Sequence, residues 1–503
     1  MRTSHVSGHS SSGWKRRTVL AAPALIAAVT LVGCTGDGAD REAESKAPAT
    51  AVLPDDLEAV SVALSTASTK SCSAAVVGTA ENADAVAQAG ATAGVPALIG
   101  VNEKTAKELT RLGVTKLAVP KGTDTDALNT DAEVVEFDPS KPDDVDLPKP
   151  SDDKPAAPFT LFVDPKGSPK SGTFAKKVAE GAGASVVNVP GGDPRATSET
   201  VAAAKKAAGD DPSHGALAIG ESFGDSNQFI SNLTTATTSP ELPGGGQVVV
   251  PGRRMIAAYG APGTPSLGIL GEQGLDESIQ RIADIAKEYE PYSDLPVVPA
   301  FELIATVASS SAGDDGDYSA DVPMEVVTEW VEGAGEAGVY VVLDLQPGTT
   351  DFLTQAKRFE ELLKKPHVGL ALDAEWRLKP GQKHLEQIGS VDAAEVNEVS
   401  DWLATLTRDN HLPQKVLILH QFAHGMIRNR ETVKADHPEL AMMLHADGHG
   451  TPDLKMGTWN ALQQGLPEGI HMAWKNFYDE DTPTFTPEET YKLEPRPWFV
   501  SYQ

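Results

Sequence analysis

Eight short apolar runs recur through the C-terminal half of the chain: MIAAYG, VVPAFELIATV, VYVVLDL, VGLALDAEW, KVLILHQF, LAMMLHA, GIHMAWKN and PWFVSY. Most are separated by stretches with helical periodicity, among them LDESIQRIADIAKEY, PMEVVTEWVEGAGEAG, FLTQAKRFEELLKK and AAEVNEVSDWLATLTRDN. Strands joined by helices pair in parallel, because a parallel pair needs a long crossover. Eight such repeats in roughly 250 residues have the size and rhythm of a TIM-like (β/α)8 barrel. The expected fold class is therefore α/β, with the barrel over residues 248–503 and its functional groups at the strand C-termini. The VVVPGRR segment at 248–254 is expected to cover the barrel bottom.

A chain of 503 residues is too long for one hydrophobic core. Between residues 53 and 143, helical and strand patterns alternate: LEAVSVALSTA, SAAVVGT, ADAVAQAGATAG, PALIGV, EKTAKELTRLG and KLAVP. That order predicts a small parallel sheet with helices on its faces. A Pro- and Asp-rich linker ends near Pro158, and a second α/β unit is expected over 159–238, with PFTLFVDP, ASVVNVP and HGALAIG as its strands. The SPELPGGGQ segment at 239–247 reads as the boundary before the barrel, too rich in Pro and Gly for a packed element.

The fourth barrel run, PHVGLALDAEWR at 366–377, carries the most chemistry. Gly369, Ala371, Asp373 and Glu375 alternate with Leu370, Leu372 and Ala374, so two carboxyls are expected on one strand face at its C-terminal end. The other strand ends supply Tyr259, Glu302, Asp344 with Gln346, His420 with Gln421, His445 with Asp447, Lys475 and Tyr502. Charged groups are rarely buried unless paired, so a ring of acids at one end of eight strands implies a polar cleft. Six of the seven Trp lie in the barrel region. Trp376, Trp474 and Trp498 are placed at strand ends, where flat rings suit sugars, whereas Trp330 and Trp402 sit within amphipathic helices and are expected in the core. Glu375 and Asp373 are thus the candidate catalytic pair. Asp344, Glu302, Trp376, Trp474, Trp498, His420 and Tyr502 are the candidate substrate contacts.

The Gly369, Asp373 and Glu375 pattern resembles the fourth-strand signature of family 18 glycoside hydrolases, an Asp-Gly-x-Asp-x-Asp-x-Glu run, with Val368 and Ala371 standing where that family has acids. The resemblance implies a general acid at Glu375 and an Asp373 that orients the acetamido group of the substrate, which itself acts as nucleophile. Further upstream, ADAVAQAG, GVPALIGV and LTRLGVTKLAVPKG resemble the type 2 cell wall-binding repeat of bacterial surface proteins. Together these imply a glycan-binding, glycosidase-like barrel, with an active hydrolase as the alternative. His420 with His424, and His445 with Asp447 and His449, have ligand-type side chains. Metal-dependent amidohydrolase barrels resemble one another in a His-x-His on the first strand, which MIAAYG lacks, and no metal or cofactor is expected.

The N-terminus has Lys15, Arg16 and Arg17 before the apolar run VLAAPALIAAVTLVG, the pattern of a signal peptide over 1–34. Its end, Leu31-Val32-Gly33-Cys34, resembles the lipobox of bacterial lipoproteins, which implies lipidation of Cys34 and a membrane anchor on the extracytoplasmic face. Residues 35–52 are polar and aperiodic and are expected to form a disordered tether. The net charge is −29, and removal of the basic signal would make it more negative still. Such a body repels phosphate, which argues against nucleic acid as its partner; cell-wall glycan or peptidoglycan is the partner that the two resemblances imply. Cys72 would be the only thiol left after lipidation, and is expected to be a small buried hydrophobe.

Overall fold

The computed structural model describes residues 41–43, 46–148 and 159–503. The expected signal peptide, Cys34, the first part of the tether and most of the linker before Pro158 lie outside the described residues. No helix among the described residues is long and apolar enough to cross a membrane.

Eight parallel strands close into a barrel: Arg254–Gly260, Val297–Ala308, Tyr340–Leu345, Val368–Asp373, Lys415–Gln421, Leu440–Ala446, His471–Asn476 and Phe499–Tyr502. Each pairs with the next, and the eighth returns to the first through the register Met255 to Phe499 and Ala258 to Tyr502. All eight strands coincide with the apolar runs in the sequence. The helices Leu275–Tyr289, Met324–Glu336, Ala393–Asp409 and Pro452–Gln463 cover the outside, and shorter helices fill other connections. After the fifth strand the described chain makes short 3-10 turns and a two-residue strand, Ile427–Arg428, that pairs with Val391–Asp392.

Period-two alternation divides each strand between two cores. Outward residues such as Val368, Leu370 and Leu372 pack under the helices in one large apolar layer. Trp330 belongs to this layer, with its ring 5.6 Å from Phe301, and Trp402 packs against it, as their helical spacing predicts. Inward residues such as Met255, Ala300, Val342, Ala371, Ile418 and Phe499 fill the lower barrel. The lower half is therefore a packed plug, and polar chemistry is confined to the upper end.

The 239–247 segment differs from expectation. It forms no helix or strand, yet Ser239, Leu242 and Gln247 are buried, and Leu242 and Val249 join the apolar plug from below. Buried Arg253 fixes the loop by donating to the carbonyls of Pro243, Gly245 and Val248. A Pro/Gly-rich chain can be buried when its backbone acceptors are satisfied by a side chain in this way. Arg253→Met should therefore destabilise the fold by about 3 kcal/mol, because several buried carbonyls lose their donor. Urea unfolding would measure it, and a change below about 0.5 kcal/mol would contradict this account of the loop.

The two N-terminal α/β units are each built on a four-stranded parallel sheet. In the first, Ala97–Ile99, Ala74–Gly78, Lys116–Pro120 and Glu133–Phe137 lie in that order. In the second, the order is Ala51–Leu53, Ala216–Ile219, Thr160–Val163 and Ser185–Asn188. The edge strand Ala51–Leu53 comes from the end of the expected tether, and Arg41–Ala43 pairs with Thr69–Cys72. The described part of that segment is thus structured: Ala51–Leu53 adds an apolar edge to a sheet formed later in the chain, and Arg41–Ala43 makes a separate two-stranded antiparallel pair. Leu53, Val60, Val76, Ala87, Leu161 and Phe174 share one core, so the two units pack as a pair. Cys72 is fully buried in that core.

Candidate active site

The inward face of every barrel strand changes character at the same height. On strand one the order is Met255, Ala257, Tyr259; on strand two, Val298, Ala300, Glu302; on strand three, Tyr340, Val342, Asp344. Strands four to eight continue it with Asp373, His420, His445, Lys475 and Ser501, each two residues beyond an apolar plug residue. One polar group per strand thus lies on the plug, at the C-terminal end where such barrels hold their sites.

Hydrogen bonds tie these groups together. His420 bridges two carboxylates, with Nδ1 2.5 Å from Asp447 Oδ2 and Nε2 2.8 Å from Glu302 Oε1. Tyr259 donates to Asp344 Oδ2 at 2.9 Å. Lys475 Nζ lies 4.0 Å from Asp447 Oδ2 and 3.5 Å from the centre of the Tyr259 ring. His445 faces Trp474 O and Ser501 Oγ through Nε2, each at 3.1 Å. Glu302, Asp344, His420 and His445 are wholly buried beneath the site floor.

Above them opens a cavity of about 510 Å³, within the ~300–1,000 Å³ usual for small-ligand sites. Asp373, Glu375, Asp447 and Lys475 line it with Tyr259 and Gln346, while Trp376, Phe422 and Phe477 give it aromatic walls. Asp373 ends the fourth strand, and Glu375 stands on a 3-10 turn, Ala374–Trp376, instead of continuing the strand. The expectation of both acids on one strand face is corrected here. Glu375 O accepts from Gly389 N, and Ala374 O accepts from Arg377 N, which folds the chain over the pocket. Both carboxyls still line the same cavity.

Their protonation is set by burial and by each other. Burial pushes Glu375 up to about 7, with the Asp447 charge adding to it and Lys475 opposing. Burial also raises Asp373 well above the ordinary carboxyl range, helped by Asp344, Glu375 and Asp447, and raises Asp344 to about 6. Asp447 goes the other way. Burial opposes its ionisation, but His420 and Lys475 outweigh this and hold it down to about 2. One cavity therefore presents a carboxyl that keeps a proton near neutrality and a carboxylate that does not.

Of the residues singled out in the sequence, Asp373, Glu375 and Trp376 line the cavity. Glu302, Asp344 and His420 meet below its floor and reach it through Tyr259 and Asp447. Three expected contacts are elsewhere. Trp474 points outward, with its ring 5.4 Å from Trp459 and under the Lys455 ammonium. Tyr502 also points outward and bonds Tyr289 Oη at 2.6 Å. Trp498 precedes the eighth strand at the barrel bottom, stacked under Arg254. Arg377 pairs with Glu395 at 2.8 Å, leaving Lys475 as the cation that faces the pocket acids. Asp447 and Lys475, outside the candidate contact set, follow from the same alternation. The walls from Phe422 and Phe477 had no signal beyond their position just after a strand.

The closed parallel barrel with surrounding helices defines an α/β protein of the TIM-like class. No family model matches the chain, and no curated protein matches it in sequence.

Proposed function

We propose that the barrel binds a cell-envelope glycan in the cavity and hydrolyses it, with Glu375 as the proton donor. The observation that carries this reading is the position of Glu375. It is half-buried on a turn over the cavity, beside the aromatic face of Trp376 and among Asp373, Asp447 and Lys475. A carboxyl held near 7 by burial keeps a transferable proton at the pH of the envelope, as a leaving glycosidic oxygen requires. Pure binding has no need of such a proton.

Asp373 lines the same cavity, and its buried Oδ1 has no hydrogen-bond partner. In the substrate-assisted route implied by the family 18-like strand, it would orient an acetamido group while that group attacks the anomeric carbon. Ala371 belongs to the apolar plug, so no acid precedes Asp373 on its strand. Asp344 of the third strand supplies a neighbouring acid instead, and its charge bears on Asp373. The missing strand acid favours a second reading, glycan binding without cleavage. Release of reducing ends from chitin and peptidoglycan fragments separates the two. Cleavage that disappears in Glu375→Gln supports hydrolysis, and wild-type retention without cleavage supports binding alone.

The setting of this activity rests on the sequence: the basic, apolar, Leu-Val-Gly-Cys succession and the cell wall-binding-like N-terminal region. Cys34→Ala is expected to release the protein from the membrane fraction or to leave an unprocessed precursor. Fractionation identical to wild type would exclude the lipid anchor.

A further inference from the structure

We propose that Glu302, His420 and His445 hold a divalent metal ion of the zinc type beneath the floor of the barrel cavity. These residues come from strands two, five and six, and one ligand atom from each lies within 4.8 Å of the others. His420 and His445 were visible as ligand-type side chains, but their grouping with Glu302 was not, because Glu302 lies more than about 100 residues away in the chain.

The hydrogen bonds of His445 make the first argument. Its Nε2 donates to Trp474 O at 3.1 Å. Its Nδ1 makes no hydrogen bond, and faces Glu302 Oε1 at 3.5 Å and Asp447 Oδ1 at 3.8 Å. A ring nitrogen and two carboxylate oxygens set this closely around one point call for a positive charge among them, which a bound metal ion would supply. Glu302 Oε2 and Asp344 Oδ1 are also buried without partners.

Orientation and spacing make the second. Metal-ligating histidines almost always give their other ring N–H to a carbonyl or carboxylate. His445 does so to Trp474 O, and His420 Nδ1 does so to Asp447 Oδ2 at 2.5 Å. Their remaining nitrogens converge on Glu302 Oε1, at 3.5 Å from His445 Nδ1 and 2.8 Å from His420 Nε2. Tetrahedral zinc with bonds of about 2.0–2.1 Å sets its ligand atoms about 3.3–3.4 Å apart, so small shifts admit the ion in place of the proton on His420. Asp344 Oδ1, 3.8 Å from His420 Nε2, is placed to close the fourth position. Two imidazoles and carboxylate oxygens select zinc-like first-row ions over magnesium or calcium.

The inference goes beyond the proposed hydrolysis and is tested without substrate. The intact chain would be stripped with a chelator, incubated with Zn²⁺, desalted and measured by elemental mass spectrometry, with thermal unfolding followed in parallel. The expected result is one Zn²⁺ per chain and a rise in the unfolding midpoint with added Zn²⁺. Glu302→Gln and His445→Ala should lose the ion. Because either could disturb folding, Asp447→Asn serves as a milder variant that keeps volume but replaces the carboxylate accepting from His420 with a weaker, neutral amide. It should weaken Zn²⁺ affinity about 10- to 100-fold. A wild-type chain that retains under a tenth of an equivalent and shows no shift would overturn the site. So would variants that bind Zn²⁺ as wild type does.

Discussion

Glu375→Gln is expected to lower the rate of glycan cleavage by about 10² to 10⁴, the usual cost of removing a general acid. Gln keeps the volume and hydrogen-bonding reach of the side chain over the cavity, so binding of chitin or peptidoglycan fragments should change little. The loss should therefore fall on kcat and leave KM nearly constant, as when an interaction made only in the transition state is removed. A variant that cleaves within threefold of wild type would remove Glu375 from the mechanism. Steady-state assays of reducing-end release, with fragment binding measured separately by calorimetry, give both readouts.

The second large effect concerns His420, which is wholly buried between Glu302 and Asp447. Burial works against its charge, but Asp447, Glu302 and Asp344 outweigh that and raise it well above the ordinary histidine range. His420→Ala leaves two buried carboxylates without their partner, and removal of one member of such a group costs about 3–5 kcal/mol. The comparison belongs in chelator-treated protein, so that metal loss does not contribute. Its pH dependence has a definite sign. Asp447, held down to about 2 in the folded chain, contributes stability that is present above its unfolded value near 4 and lost as pH falls through its folded one. That contribution comes largely from His420. His420, raised in the folded chain, adds stability that is complete below its unfolded value near 6.5 and is lost as pH rises through its folded one. The gap between wild type and variant should thus be widest at about pH 5–6 and narrow as pH falls from about 4 towards 2. Urea unfolding at about pH 5.5 and about pH 2.5 measures it, and a gap that is constant or widens over that acid range would contradict the ion-pair reading.

Most of the fold was legible because the barrel strands are buried on both faces and read as near-continuous apolar runs, each with a polar residue towards its C-terminal end. Strand phase was the weaker signal. In HMAWKN, the alternation that buries Ala473 inward also sends Lys475 inward and Trp474 outward, so the aromatic taken for a sugar platform lies under a helix. The same phase puts Ser501 beside His445 and Tyr502 against Tyr289. Trp498 precedes the eighth strand, Phe499–Tyr502, and so lies at the barrel bottom and not at the strand end that the PWFVSY run suggests. Glu375 depended on backbone geometry that alternation cannot express, a 3-10 turn directly after Asp373. Nor could local pattern pair Ala51–Leu53 with Ala216–Ile219, since about 160 residues separate the two strands. His420, His445 and Glu302 were each visible at a strand end, but their convergence required the closed barrel.

The central claim is tested most directly by the pH dependence of glycan cleavage in the wild-type chain. With Glu375 raised to about 7, its carboxyl is mostly protonated at pH 6 and mostly ionised at pH 8. The account predicts that kcat/KM falls about tenfold per pH unit above roughly pH 7, and that this limb is absent from any residual activity of Glu375→Gln. Cleavage that stays level from pH 6 to 9, or a limb that persists in the variant, would contradict it.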